Sequence, residues 1–433
     1  MTTGEDIVAN PASVSGVWPR RQIIVALTFL GCVIAYTDRV NISVAAVAMK
    51  EHFGWTQTEK GFVLSAFFVG YVMSMFLAGL IATRFGGRRV AGVAVIIWSC
   101  FTLLTPLAAG ISIPVLVATR LAMGAGEAGL FPATYDLFGR WIPPMERARA
   151  VSRFLSGIPL GTLIGLGASG WLVGRYGWPI PFYVFGFAGL VWMLLWFWQV
   201  RNDPRGDARV GANERTLLDS FRTTGDPTKE SVPWRRLLLS RPVFAILVGQ
   251  GAGGWTLYVL LSWLPSYFRD VHGVNITSAG LFSAGPWLAM AAAMHIGGSV
   301  SDRMIRNGMS VTIVRKIMLC SGLIVSGAFL FATREAQSPA MAVALLIVAT
   351  GALGFTWCGF APGILDIAPR NGGLLMGFTN TIGQIPGIIG IAVTGWLVDV
   401  TGTYTAAFVL SAALSLIGAV VFWVCFDARP VAE

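Results

Sequence analysis

Four ionisable residues stand inside stretches otherwise apolar enough to cross a bilayer. Asp38 and Arg39 lie in the first such stretch, Arg120 and Glu127 in the fourth. A charged side chain at bilayer depth costs roughly 3 kcal/mol or more, so these residue types imply a use. Arginine donates two parallel hydrogen bonds to a carboxylate, and a carboxyl group in a dry site can carry a proton. Arg120 and Glu127 are two helical turns apart, on one face about 10 Å from each other, with Gly124 between them. That separation is too long for a direct bridge, so each needs another partner. The glycine clears space, either for a cavity or for a close neighbouring helix. Asp38 and Arg39 diverge by about 100° around a helix. Tyr36 therefore shares a face with Arg39, and Asn41 with Asp38. The plainer account of Arg120 and Glu127 is structural ion pairing between helices, and that of Asp38 and Arg39 is a place at the membrane edge rather than within it.

Two arginines and two acids leave an empty cavity neutral. One organic anion would bring it to minus one, and protonating either carboxylate would restore neutrality. Anion and proton are therefore expected to bind cooperatively and move together. Which acid takes the proton first stays open at this point.

The elements that position these residues follow from composition. The 433 residues are 55% hydrophobic and 12% charged, with mean hydropathy +0.69. A soluble chain averages about 25% charged, so this is an integral-membrane protein. A span needs about 20 apolar residues. Twelve are expected, at 22–48, 60–83, 90–109, 112–139, 149–174, 178–200, 242–268, 277–300, 312–333, 338–365, 372–398 and 404–426. They fall into an N-terminal bundle (1–200), a polar central loop (201–241) and a C-terminal bundle (242–433). With both termini inside, the inner segments hold 24 Lys and Arg and the outer ones 5, Lys50 and Lys60 among them. That bias sets the topology with both termini cytoplasmic and explains the net charge of +10 without nucleic acid. The polar first 19 residues lack the apolar core of a cleaved signal peptide. The odd set of five cysteines, Cys32, Cys100, Cys320, Cys358 and Cys425, matches neither a zinc pattern nor a disulfide framework.

The halves repeat each other. Gly79–Arg84 matches Gly298–Arg303, Pro132…Asp136 matches Pro362…Asp366, and Ser169–Gly177 matches Thr394–Gly402, at offsets of 219, 230 and 225 residues. Paired six-span repeats are a transporter architecture, with the substrate site between the halves. A second set of charges edges the cytoplasmic side: Arg84, Arg88 and Arg89 after span 2, Asp302 and Arg303 after span 8, and Asp136 and Asp366 ending spans 4 and 10. These are candidate latches of a cytoplasmic gate, and also ordinary topology charges. Tyr71, Trp255 and Tyr258 are mid-span aromatics, and Gln250, Asn380 and Gln384 mid-span polar groups. Each could face the cavity or bond a neighbouring helix. Asn275-Ile-Thr is a weak glycosylation sequon. No nucleophile–base set or phosphate loop appears, so the chain is not expected to be an enzyme.

The residues quoted resemble the major facilitator superfamily, in its organic anion:proton symporter branch. Gly79…Arg84-Phe-Gly-Gly-Arg-Arg89 is similar to its loop 2–3 signature, with Thr83 where an acid is usual. More specific are Arg120…Glu127-Ala-Gly-x-Phe-Pro-Ala, Gly249-Gln250…Trp263-x-Pro and Leu365–Arg370 with Met376-Gly-x-x-Asn380. Leu365–Arg370 looks like sialin and the vesicular glutamate transporters. Tyr36-x-Asp38-Arg39 and Gly249-Gln250 look like the hexonate and hexuronate carriers. That resemblance implies an all-α fold of twelve transmembrane helices in two pseudo-symmetric six-helix bundles. It implies Asp38 and Glu127 as proton carriers and Arg39 and Arg120 on the anion. Tyr36, Tyr71, Gln250 and Asn380 would be polar substrate contacts. The expectation is a monomeric symporter in a bacterial inner membrane, importing a sugar acid with protons as coupling ion and no cofactor or metal. The alternatives are an aromatic or dicarboxylic cargo, or exchange without protons.

Overall fold

The structure, a computed structural model, describes residues 19–220, 240–368 and 372–431. Among these, twelve helices are long and apolar enough to cross a membrane: Arg20–Phe53, Gln57–Phe85, Gly87–Ile111, Ile113–Trp141, Pro144–Tyr176, Ile180–Gln199, Arg241–His272, Ile276–Arg306, Val311–Glu335, Pro339–Ile367, Leu375–Thr401 and Thr405–Cys425. They are spans 1 to 12 below. Each contains most of the stretch expected from hydropathy. Their helices run past the apolar segments because caps lie beyond them. Thr56 and Glu59 form a reciprocal capping box at the start of span 2. Asn275, the sequon residue, caps span 8 by accepting from the Ser278 N–H at 2.9 Å.

Two spans are interrupted beside a proline. Span 4 breaks after Glu127 and resumes at Leu130, next to Pro132, whose ring crowds the carbonyl four residues before it; the matching Pro362 sits inside an unbroken span 10. Pro159 has the same relation to the break after Leu155 in span 5. Glu127 therefore ends a helical segment instead of lying mid-helix.

Packing repeats in both halves. Span 1 lies on span 5, 2 on 4, and 3 on 4 and 6; correspondingly span 7 lies on 11, 8 on 10, and 9 on 10 and 12. Glycine makes the tight crossings. A Cβ on Gly124 would meet the Phe67 carbonyl oxygen at 1.9 Å, and one on Gly70 the Leu121 carbonyl oxygen at 2.0 Å. Gly124 thus serves a close neighbouring helix, not a cavity.

The halves meet through spans 2 and 11, 5 and 8, and 1 and 7, and the contact is concentrated at the outer end. There Asp399 accepts from the Gln57 and Thr58 N–H groups at 2.9 and 2.7 Å. Gln57 also donates to Asp270 at 3.0 Å, and Arg269 pairs with Glu51 at 3.2 Å. Lys60 donates to Ser266 at 2.9 Å, and Thr277 to the Gly170 carbonyl at 3.2 Å. Phe68 meets Tyr258 with tilted rings, centroids 4.5 Å apart, beneath this seal. Toward the cytoplasmic end, the polar contact between halves among the described residues is a long Thr381 to Met75 sulfur approach of 3.9 Å. Among the described residues, the polar contacts between the halves thus gather at the outer end.

Candidate anion site

The fold brings the four buried charges to one level of the N-terminal half. Span 1 is unbroken, so the divergence expected between Asp38 and Arg39 holds. Arg39 reaches span 4, where its Nε donates to Glu127 Oε1 at 3.0 Å and its Nη2 donates to the same oxygen. Three rings flank its guanidinium, those of Tyr36, Tyr71 and Phe67, at 4.4, 4.7 and 5.1 Å. Such contacts contribute up to about 2 kcal/mol when desolvated. The second Glu127 oxygen is buried without a partner.

Arg120 takes the same Phe67 ring at 5.2 Å, and its Nη1 lies 2.9 Å from Met123 Sδ. No carboxylate among the described residues comes within ion-pair distance of it, and its Nε is buried unpaired. Asp38 is fully buried, and neither of its oxygens meets hydrogen-bond geometry; nor do the Asn41 amide atoms or the neighbouring Trp98 indole N–H. An unmade buried hydrogen bond costs roughly 1–3 kcal/mol. Interhelical ion pairing therefore accounts for Arg39 and Glu127 but not for Arg120 and Asp38.

The C-terminal half contributes neutral groups. Gln250 donates to Asn380 Oδ1 at 2.7 Å, which leaves its own Oε1 buried and free to accept. Tyr258 donates to Gln384 at 2.8 Å. Trp255 turns away and bonds Ser411 at 3.0 Å inside its own half. So Tyr36 and Tyr71 gather on Arg39, Gln250 and Asn380 on each other, and Trp255 is packing.

Of the cytoplasmic candidates, Arg88, Asp136 and Asp366 bond within their own half. Arg84, Arg89, Asp302 and Arg303 are exposed at the inner ends. Arg88 donates to the Phe197 carbonyl at 2.9 Å. Asp136 accepts from the Gly87 N–H at 2.7 Å and pairs with Arg140. Asp366 pairs at 2.9 Å with Arg315, in the first turns of span 9. Pro369 and Arg370 of the Leu365–Arg370 motif lie outside the described residues, as do residues 1–18 and 221–239. Lys60 is a residue sequence reasoning passed over. Counted as an outer-loop charge, it is 1% exposed in the first turn of span 2. Its spacing from Leu64, Phe67 and Tyr71 was the available signal, since all four share one helix face.

Residues 28–391 match the model of the Major Facilitator Superfamily. The chain belongs to the major facilitator superfamily. Its relatives within it are anion transporters. It is 38% identical over 407 residues to Probable anion transporter 1, chloroplastic, of Oryza sativa subsp. japonica, covering 94% of this chain and 77% of that one. It is 36% identical to two Arabidopsis thaliana proteins. One is Sodium-dependent phosphate transport protein 1, chloroplastic, with coverage of 96% and 82%. The other is Ascorbate transporter, chloroplastic, with coverage of 94% and 74%. Among solved structures, a bacterial homologue of the human lysosomal transporter Spinster superposes with a TM-score of 0.78 at 18% identity, covering 95% and 97% of the two chains. That likeness shows the fold. This superfamily member is thus a multi-pass membrane protein of an anion-transporter family, and not an enzyme.

Proposed function

We propose that this superfamily member is a monomeric, proton-coupled carrier that imports a small organic anion by alternating access, and that the anion is a sugar acid of the hexonate or hexuronate kind. One observation carries the reading: Arg39 is satisfied by Glu127, while Arg120 has no carboxylate within ion-pair distance among the described residues. Arg120 is the seat for the anion's carboxylate. Asp38, whose buried oxygens lie outside hydrogen-bond geometry with the Trp98 indole beside them, is the counterpart seat for the proton, and Glu127 the second carrier. Arg39 joins the anion when Glu127 lets go of it, which couples the acid to binding. The cavity stays neutral when anion and proton enter together. One proton per monoanion makes transport electroneutral; a second would add about 2.3 kcal/mol per 100 mV.

The cargo is read from the neutral groups. Gln250, Asn380, Tyr36, Tyr71 and Tyr258 offer several donors and acceptors around the arginines, which suits a hydroxylated anion. An ionised dicarboxylate, which only accepts hydrogen bonds, would leave the free Gln250 oxygen without a donor. The relatives named for phosphate and ascorbate keep the same sign of charge. All three quoted relatives are chloroplastic, so a bacterial inner membrane finds no support among them; the mechanism needs only a proton gradient across the host membrane.

Proteoliposomes test the coupling. Uptake of a radiolabelled hexonate should follow an imposed inward proton gradient and ignore a sodium gradient. Uptake indifferent to protons would sink the symport reading. A thermal-shift panel of hexonates, hexuronates, aromatic acids, dicarboxylates, phosphate and ascorbate then ranks the cargo.

A further inference from the structure

Lys60 is a buried cation outside the site just described. Its ammonium is held by two groups, the Ser266 hydroxyl at 2.9 Å and the face of Trp263, 4.7 Å from the ring centroid. Both belong to span 7, in the opposite half. No carboxylate among the described residues lies within ion-pair distance of it; Asp270 and Asp399 stand further off. The socket is rigid, because Trp263 is itself fixed by its indole N–H to the Ile391 carbonyl at 3.1 Å. Everything that holds this charge is therefore supplied by closure of the outer seam, and is withdrawn when the halves part.

Its place on span 2 gives the charge a direction. Lys60, Leu64, Phe67 and Tyr71 fall at spacings of four, three and four, along one helix face. Phe67 touches the guanidinium groups of both Arg39 and Arg120, and Tyr71 that of Arg39. Eleven residues separate Lys60 from Tyr71, about 16 Å along the axis. Lys60 thus stands at the outer rim of the face that ends at the arginines.

We infer that Lys60 is an entry station for the anion. With the outer end open, its ammonium faces the vestibule and collects a small anion ahead of Arg120. As the halves close, Ser266 and Trp263 take the anion's place on the ammonium, so the anion leaves inward and the charge is not stranded. The inference rests on the alternating-access reading, but its test needs no knowledge of the cargo.

The probe is a cysteine beside the ammonium. In full-length protein in proteoliposomes, Ser266→Cys is labelled from outside with membrane-impermeant methanethiosulfonates, one anionic (sulfonatoethyl) and one cationic (trimethylammonioethyl). Labelling of the parent protein is subtracted. The anionic reagent should be favoured, and adding Lys60→Gln should lower the anionic-to-cationic rate ratio by about tenfold, the effect expected of one unit charge a few ångströms away in a partly hydrated site. Lys60→Arg, which keeps the charge, should hold the ratio, and this guards against a merely misfolded variant. A ratio unchanged by Lys60→Gln overturns the inference, and so does a cysteine that never reacts from outside. An unchanged ratio leaves proton-driven uptake untouched, and where the cysteine never reacts, proton-driven uptake measured in the same liposomes shows whether the alternating-access reading falls with it.

Discussion

Spans 4 and 10 repeat one pattern 230 residues apart, and they differ at the charged level, where span 4 breaks after Glu127 and span 10 runs on unbroken. Gly124 corresponds to Gly354, Gly129 to Gly359, Pro132 to Pro362 and Asp136 to Asp366. The crossing geometry is shared too. A Cβ on Gly354 would meet the Met290 carbonyl oxygen at 2.7 Å, as one on Gly124 would meet that of Phe67. Yet Thr350 stands where span 4 has Arg120, and Trp357 where it has Glu127. The backbone contacts that glycine permits have been kept in both copies, and the buried charges in one. Packing can be duplicated at no loss. A second pair of buried charges would add a desolvation cost of several kcal/mol per ion with no second anion to offset it. The neutral copy can instead bind hydroxyls and close over the cargo.

The largest effects should come from breaking this asymmetry at its charged end. Arg120→Ala is expected to weaken anion binding about 100-fold or more, the size found when one partner of a buried charge pair is removed. Isothermal titration with the best ligand of the thermal-shift panel measures this. Thr350→Val, at the matching position, should change affinity by about twofold or less, since the Thr350 hydroxyl is already buried without a partner. Equal losses in the two variants would mean that the charges are structural. Glu127→Gln comes next. It should abolish proton-driven uptake while leaving counterflow exchange and binding measurable, because the anion's seat on Arg120 survives.

The fold was legible because its signals are local and additive. Window hydropathy locates a span, the Lys and Arg count orients it, and duplication leaves an ordered series of matches. The buried charges were legible as anomalies against that background. Their partners were not. Helix spacing gives the angle between Asp38 and Arg39 but not the neighbour each one meets, so the Arg39–Glu127 pair and the isolation of Arg120 came only with packing. Gly124 likewise admitted two meanings until span 2 was seen against it. Lys60 and Asp399 escaped notice for a further reason. Each bonds a residue hundreds of positions away across a seam, and from sequence each resembles the solvated charges that flank any span.

The outer seam offers a second, smaller asymmetry. Asp399 and Gly174 hold equivalent places in the 225-residue repeat. Asp399 places a carboxylate on the N-terminus of span 2, whereas Gly174 only makes room for Thr277, whose hydroxyl oxygen would lie 2.5 Å from an added Cβ. An anion at a helix N-terminus is worth about 1 kcal/mol. Asp399→Asn should therefore shift the molecule toward the outward-open form, raising outside labelling of Ser266→Cys by about fivefold. Gly174→Ala displaces one neutral hydroxyl and should raise it by about threefold or less. The reverse order would place the main latch at spans 5 and 8.

The smallest effect lies at the cytoplasmic strap of the N-terminal half. Asp207 follows span 6 and is paired with Arg209 at 2.8 Å and Arg20 at 3.4 Å. Burial works to raise its carboxyl, but the hydrogen bonds from Arg209 and the charge of Arg20 outweigh it, so the group titrates below the usual carboxylate range. A native value below the unfolded one means stability that is fully present above the unfolded range, near pH 4. It is lost as pH falls through the lowered native value. Asp207→Asn should lower the thermal midpoint by about 1 °C at pH 7. The gap from the parent protein should shrink as the pH drops below about 4. A gap that widened in acid would place the stabilising charge elsewhere in the strap.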